Sequence, residues 1–367
     1  MNNYILPGIY IEKGIEEQRV NLNTFSTLFL SFELNSDDIE KTTKVIYLRS
    51  ISDLEKSTFV RKEMLLFKII HAYFDNGGKS LYIMPQANDK DTLLDSKKYF
   101  KFLEQNIDSL IDVETIIAVD LLVQEKFDFK DTQRQVIQNS IASYCKKSNR
   151  LSLTDLPIES HPLVYVETLM STIVCYPWII NNRGATLPSS LYVAAILSHL
   201  ASEDKISHSI ANIKFKNAID TNMLIDNDYA ARLYTESINP IVHVQNDGYK
   251  IWGIRTLNDE IKDINTLRVL FLIKRALYLI GKEYIFEVHD QRLEEKMIRK
   301  ITSFLFLLWK KGALKGISQD EAFLLSIESN DELIIHVAVS IAKPLEFIVI
   351  HLNRQTNSDS QSTLNIT

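Results

Sequence analysis

The sequence predicts an α/β unit joined to an α+β unit, and three observations predict it. Strand-like and helix-like segments alternate from about residue 45 to 200, the pattern of a mostly parallel sheet with crossover helices. After Asn239 come two strands joined by a turn, two long helices and three terminal strands, the order of an antiparallel α+β unit. Near the start, YILPGIYIE is an aromatic and β-branched run broken by Pro7 and Gly8, which reads as an extended arm rather than a helix.

The elements follow in order. TLFLSFEL, residues 27–34, reads as a first core strand, and the polar NSDDIEKTTK after it marks a candidate boundary. VIYL is a strand. RKEMLLFKIIHAYF sets Met64, Phe67, Ile70 and Phe74 at spacings of three and four, the stripe of a buried helix face. LYIMP is a short apolar strand closed by a proline. Between this helix and this strand lies DNGGKS. Its GGKS matches the end of a phosphate-cradling loop, but that loop needs an earlier glycine where Tyr73 stands, and it runs strand, loop, helix. Asn76, Gly77 and Gly78 therefore read as a left-handed helix stop.

A helix carrying Leu93, Leu94, Phe100 and Leu103 precedes the strand VETIIAVD, and a helix over Asp131–Lys147 precedes LSLTDLP. STIVCYPWII is β-like, NNRGATLPSS is a loop, and Pro188, Ser189 and Ser190 open the helix SSLYVAAILSHL. INPIVHVQNDGYKIWGIRTL reads as two strands turning at Asn246, Asp247 and Gly248. Helices are expected at about 263–280 and 291–310, then strands in AFLLSI, LIIHVAVSI and PLEFIVIHL, separated by SNDE and by Lys343-Pro344.

Composition narrows the function. The chain has 367 residues, 46% hydrophobic and 24% charged, enough for a globular protein of two or three domains. A net charge of −6 argues against a nucleic-acid partner held by a basic footprint. Cys145 and Cys175 sit apart in apolar segments and read as buried free thiols. The N-terminus lacks a signal-type charge and apolar core, and no apolar run reaches membrane-spanning length; FLFLLW at 304–309 is far too short. A soluble cytosolic product without membrane insertion is expected.

Chemistry-bearing constellations are weak. His199 and His208 lie nine apart near a helix end, which is not zinc-ligand spacing. His336 alternates within a strand and reads as a cross-strand packing partner. His289 and Asp290 are chain neighbours and rarely face one another. Asp120 and Asp155 close apolar strands, where α/β enzymes place acids, yet no glycine-rich loop or third polar partner accompanies them. In GYKIWGIRTL the structural expectation is a buried Trp252, a Gly253 allowing close backbone approach, and an Arg255 paired with a carboxylate. No catalytic, metal or cofactor site is expected.

Taken together, the segments resemble the contractile tail sheath family of myophages, R-type pyocins and phage-tail-like injection systems. YILPGIYIEK resembles its N-terminal Pro-Gly-Val/Ile-Tyr arm, and YFDNGGKSLYIM its Asn-Gly-Gly turn. IASYCKKSNRLSLTDLP and CYPWI are similar to its Asp-x-Pro and Tyr-Pro-Trp segments. The stretch ending WGIRTL is the most specific, with Trp252, Gly253 and Arg255 in the family's Trp-Gly-x-Arg-Thr-Leu. WKKGALKGISQDEAFLL and IAKPLEFIVI resemble its C-terminal segments. Departures occur at Ile210, where the family has proline, at Ser237–Asn239, and at 286–290, where a Pro-Asn is missing.

The resemblance implies a structural protein with no cofactor and no metal, one that forms a helical homopolymer around an inner tube and also meets baseplate and terminator proteins. It implies an arm at 1–20, a discontinuous inner core at 21–40 and 236–345, an outer α/β domain at 41–235, and a C-terminal strand and flexible arm at 346–367. Tyr4, Ile5, Pro7, Gly8, Ile9 and Tyr10 are then the strand donated to a neighbour, and Phe347, Ile348, Val349 and Ile350 the strand that receives it. An isolated strand is not stable in water and gains by augmenting a sheet edge. Lys310, Lys311 and Lys315, at the end of the 291–311 helix, are candidates for touching the tube. A baseplate or terminator protein, or an α/β enzyme of unknown substrate, are the alternatives.

Overall fold

The computed structural model describes residues 26–34, 45–57, 60, 64–87, 89–123, 128–158, 172–258, 261–284, 287, 290–329, 333–344, 346–356 and 362–366. The expected arm residues Tyr4 to Tyr10 lie outside this set, as do the polar boundary 35–44 and His289.

The largest element is an eight-stranded sheet. Its strands are β1 (Ser26–Ser31), β2 (Ile46–Leu48), β3 (Leu81–Pro85), β4 (Val113–Ala118), β5 (Leu151–Asp155), β6 (Ile173–Tyr176), β10 (Ile238–Val244) and β11 (Gly248–Ile251). Three short strands between them, β7 (Ile179–Asn181), β8 (Thr186–Leu187) and β9 (Ala218–Thr221), form a separate antiparallel sheet. The order in the large sheet is β11-β10-β6-β5-β4-β1-β3-β2. Six strands run parallel, and β2 and β11 pair antiparallel at the two edges.

Strands covered on both faces read as continuous apolar runs. Along β1, Leu28 and Leu30 face one core and Phe29 the other. Helices α2 (Leu65–Asp75) and α6 (Ser190–Ser202) cover the Phe29 side, and α4 (Ser96–Ile107) and α5 (Asp131–Lys147) the opposite side. The smaller helices are α1 (Ile51–Lys56), α3 (Lys90–Leu94) and α7 (Asn227–Thr235).

The expected division set 21–40 with the C-terminal core and apart from 41–235. The sheet does not follow that line. β1 lies between β3 and β4, and β10 extends the same sheet from β6. A strand buried on both faces by crossover helices belongs at the centre of a parallel sheet, whatever its place in the chain. The second unit starts later. Helices α8 (Ile264–Glu283) and α9 (Gln291–Lys310), with the short α10 (Gln319–Ala322), pack on a four-stranded antiparallel sheet of β12 (Phe323–Ser329), β13 (Leu333–Ser340), β14 (Phe347–Thr356) and β15 (Ser362–Ile366).

Helix α8 joins the two units. Arg268 is 1% exposed and grips Glu114 of β4 with two hydrogen bonds, Nε to Oε1 at 2.5 Å and Nη2 to Oε2 at 2.9 Å. It also donates to the carbonyls of Leu197 and Ile206. Two helical turns on, Arg275 donates to the Val113 carbonyl, and burial pulls its guanidinium down to about 10. A buried charge is tolerated when it is paired and hydrogen-bonded, as Arg268 and Glu114 are.

Residues 76–78 settle what DNGGKS does locally. Gly77 has φ +95°, the Gly78 N–H donates to the Tyr73 carbonyl at 3.1 Å, and the Gly77 N–H donates to the Phe74 carbonyl at 3.0 Å. This is a Schellman helix stop. Asn76 locks it to residue 216: its amide donates to the Lys216 carbonyl, and its Oδ1 accepts the Lys216 N–H. A Cβ at Gly78 would sit 2.2 Å from the buried Tyr73 ring. Gly78→Ala is expected to cost about 1–3 kcal/mol by overpacking, read as a lower urea midpoint.

Candidate assembly surfaces

The four-stranded sheet has one buried face and one open face. Along β13, Leu333, Ile335, Val337 and Val339 are buried under α8 and α9, while Ile334, His336 and Ala338 point away and are half-exposed. On β14, Ile350 is buried, Phe347 and Ile348 are half-buried, and Val349 is 49% exposed. β13 pairs with β14 along its whole length, but β15 covers only Leu352–Thr356. The outer edge of β14 over 347–351 thus has no partner strand among the described residues. β12 is the other edge and pairs only with β13 there. The segment expected to leave as a flexible arm instead folds back as a hairpin on its own sheet.

The three candidate lysines cap the end of α9. The helix closes with a second Schellman turn: Gly312 has φ +75°, and the Ala313 N–H donates to the Leu308 carbonyl at 2.9 Å. Lys310 lies over the rings of Phe306 and Trp309, Lys311 pairs with Asp204 at 2.7 Å, and Lys315 Nζ donates to the Gly312 carbonyl. All three are exposed, and they stand beside exposed Phe306, Leu307 and Ile317. Surface ion pairs contribute little, so these contacts leave the lysines available.

The WGIRTL stretch corrects two expectations. Trp252 is 55% exposed, not buried; it lies just past the end of the edge strand β11. Arg255 finds an aromatic ring and a carbonyl rather than a carboxylate: its guanidinium lies 4.1 Å from the Tyr234 ring centroid and donates to the Tyr234 carbonyl. Gly253 does permit a close approach, since a Cβ there would meet Asn239 Oδ1 at 2.7 Å. Asn239 is the residue the sequence reading missed. It is fully buried, accepts the Arg255 N–H, and donates to the carbonyls of Val174 and Arg255. An asparagine inside an otherwise apolar strand was its signal.

The two strand-end acids have structural work. Asp120 accepts the Ser31 hydroxyl and the N–H groups of Phe32 and Glu33. Asp155 accepts both hydroxyls of Ser189 and Ser190 and the Ser190 N–H, holding the start of α6. Burial pushes each carboxyl up to about 6, with these hydrogen bonds pulling the other way. A raised folded value contributes stability that is fully present below the unfolded aspartate value of about 3.9 and is lost as pH rises through 6. Wild type should therefore gain stability on Asp155→Asn between pH 7 and pH 5. Urea unfolding of both at each pH checks this, and parallel pH profiles would refute it.

The remaining candidates stay apart. His199 meets Glu203, Asp290 caps α9 by accepting the Leu293 N–H, and His208 joins neither. Cys145 and Cys175 are buried and free, with burial pushing the Cys145 thiol up to about 12. Among the described residues no helix is long and apolar enough to cross a membrane.

Residues 256–354 match the phage tail sheath C-terminal domain family. No curated protein matches the chain. The whole fold is similar to several solved structures. One is the sheath complex of the extracellular contractile injection system PVC in its contracted state, at 20% identity and TM-score 0.71 over 95% of this chain and 97% of that one. Another is the helical sheath of the anti-feeding prophage in its contracted state, at 22% identity and TM-score 0.72 over 94% and 97%. A third is a sheath tail protein from Desulfitobacterium hafniense, at 10% identity and TM-score 0.65 over 94% and 99%. Residues 256–354 thus match the phage tail sheath C-terminal domain, and the chain as a whole shares the fold of these solved sheath structures.

Proposed function

We propose that this chain is a structural sheath subunit that polymerises helically around an inner tube and contracts to drive the tube through a target envelope. The observation that carries this reading is the sheath C-terminal domain at 256–354 within a sheath fold. The energy is stored in the assembled lattice, and this chain hydrolyses no nucleotide; the GGKS stretch serves as a helix stop. Neighbouring copies exchange strands. Residues Tyr4 to Tyr10 of one copy augment a sheet edge of another, at the outer edge of β14 over Phe347–Ile350 or along β12. Such a contact joins different surfaces and does not close, so it propagates into a helix. For β14 to offer its edge beyond His351 as well, β15 must leave it. Contraction is then a switch between two packings of one lattice with the exchanged strands as hinges. Lys310, Lys311 and Lys315 face the tube. Assembly takes place in the cytoplasm, on a baseplate and under a terminator.

The arm carries assembly and not folding. The full chain is expected to pellet as polymer on ultracentrifugation. The chain lacking residues 1–12 should stay in the supernatant with an unchanged unfolding midpoint. Pelleting by both chains would remove the arm from the account.

A further inference from the structure

We infer that His336 and His351 form a two-histidine site for a divalent transition metal, zinc first, on the open face of the C-terminal sheet. The register places the two residues directly opposite on β13 and β14, with Ser326 of β12 completing the row. Their Nδ1 atoms are 2.8 Å apart, and the rings meet edge to face with centroids 4.8 Å apart. A plain cross-strand pair is satisfied by one N–H···N hydrogen bond at that distance. It gives no role to Glu328, whose Oε1 stands 3.4 Å from His336 Nε2, a buried atom with no hydrogen-bond partner.

A carboxylate beside Nε2 favours the tautomer with the proton on that nitrogen, which leaves Nδ1 bare toward His351. A carboxylate holding the far nitrogen is also how metal-ligating histidines are usually oriented. A tetrahedral zinc with bonds of about 2.0–2.1 Å sets its nitrogens roughly 3.4 Å apart. The pair therefore needs to part by only about 0.6 Å, within reach of small ring rotations. Imidazole nitrogens select zinc, copper or nickel over calcium or magnesium.

The site is open. His336 keeps 24% of its side chain exposed and His351 is half-buried, so water fills the remaining positions. Among the described residues no group of three or more ligands assembles, so two of their side chains hold the metal, and binding is weaker than at a closed structural zinc. Bound metal clamps β14 to β13 beside the open 347–351 edge. The inference rests on the sheet register and the ring contacts and stands apart from the assembly reading.

The test is calorimetric titration of zinc chloride into the chelator-treated full chain. One zinc per chain is expected, with affinity falling at least about tenfold in His336→Gln and in His351→Gln. Glu328→Gln should weaken binding without abolishing it, in the range of about 10–100-fold typical of such supporting groups. Zinc binding unchanged in either histidine variant, or no binding by the wild type, overturns the site. A second reading uses the wild type alone. Zinc should protect His336 and His351, and not the other histidines, from diethylpyrocarbonate as mapped by mass spectrometry. Equal labelling with and without zinc overturns the site however the variants fold.

Discussion

Replacing Arg268 by alanine is expected to cost the fold about 3–5 kcal/mol, the penalty for leaving a buried partner charge uncompensated. That is a large part of the roughly 5–15 kcal/mol that holds a typical domain. Glu114 is 5% exposed, and its two carboxylate oxygens take both Arg268 bonds. Without the guanidinium the carboxylate stays in the core, and the Leu197 carbonyl loses its donor. The loss falls at the junction between the large sheet and the C-terminal unit. This contact ties the two units together. The double variant Arg268→Met with Glu114→Leu removes both charges and should recover most of the lost stability, since apolar replacement of a buried pair is often neutral or better. Urea unfolding of the wild type, the single and the double variant gives the answer. A single variant within about 1 kcal/mol of wild type would mean that water reaches the pair.

The tryptophans give the second large effect. Trp178 is 1% exposed, its indole N–H donates to the Leu156 carbonyl at 2.8 Å, and its backbone N–H donates to Asn222 Oδ1. Trp178→Ala should cost about 3–5 kcal/mol, the range for emptying a large aromatic site. Trp252→Ala should change the stability of the isolated chain by no more than about 0.5 kcal/mol, as for an ordinary surface position. Near-equal losses in the two variants would contradict the burial difference.

This contrast shows which features the sequence could carry. Both tryptophans stand in apolar, strand-like runs, and local pattern does not distinguish them. What separates them is strand order: Trp178 follows the interior strand β6, and Trp252 follows the edge strand β11. Strand order in a parallel sheet depends on crossover connections, so the central place of β1 was equally hidden. Helix stops are different. The turns at Gly77 and Gly312 depend on hydrogen bonds within six residues, and the one at Gly77 was legible as a glycine-rich break after an apolar helix. The His336 pairing was half legible. Alternation along β13 gave its face, but only the register gave it His351 as a partner. The Arg268–Glu114 pair joins residues 154 apart. Its one local sign was an arginine on the same helical stripe as the buried Ile264 and Leu272.

The central claim is that copies of this chain build a hollow helical sleeve by lending one another their N-terminal strands. Negative-stain electron microscopy of the purified full chain, beside the chain lacking residues 1–12, tests it most directly. Hollow helical tubes from the full chain and none from the shortened one is the predicted result. Single particles or closed rings in both preparations would contradict it and point to a terminator or baseplate role for the same fold.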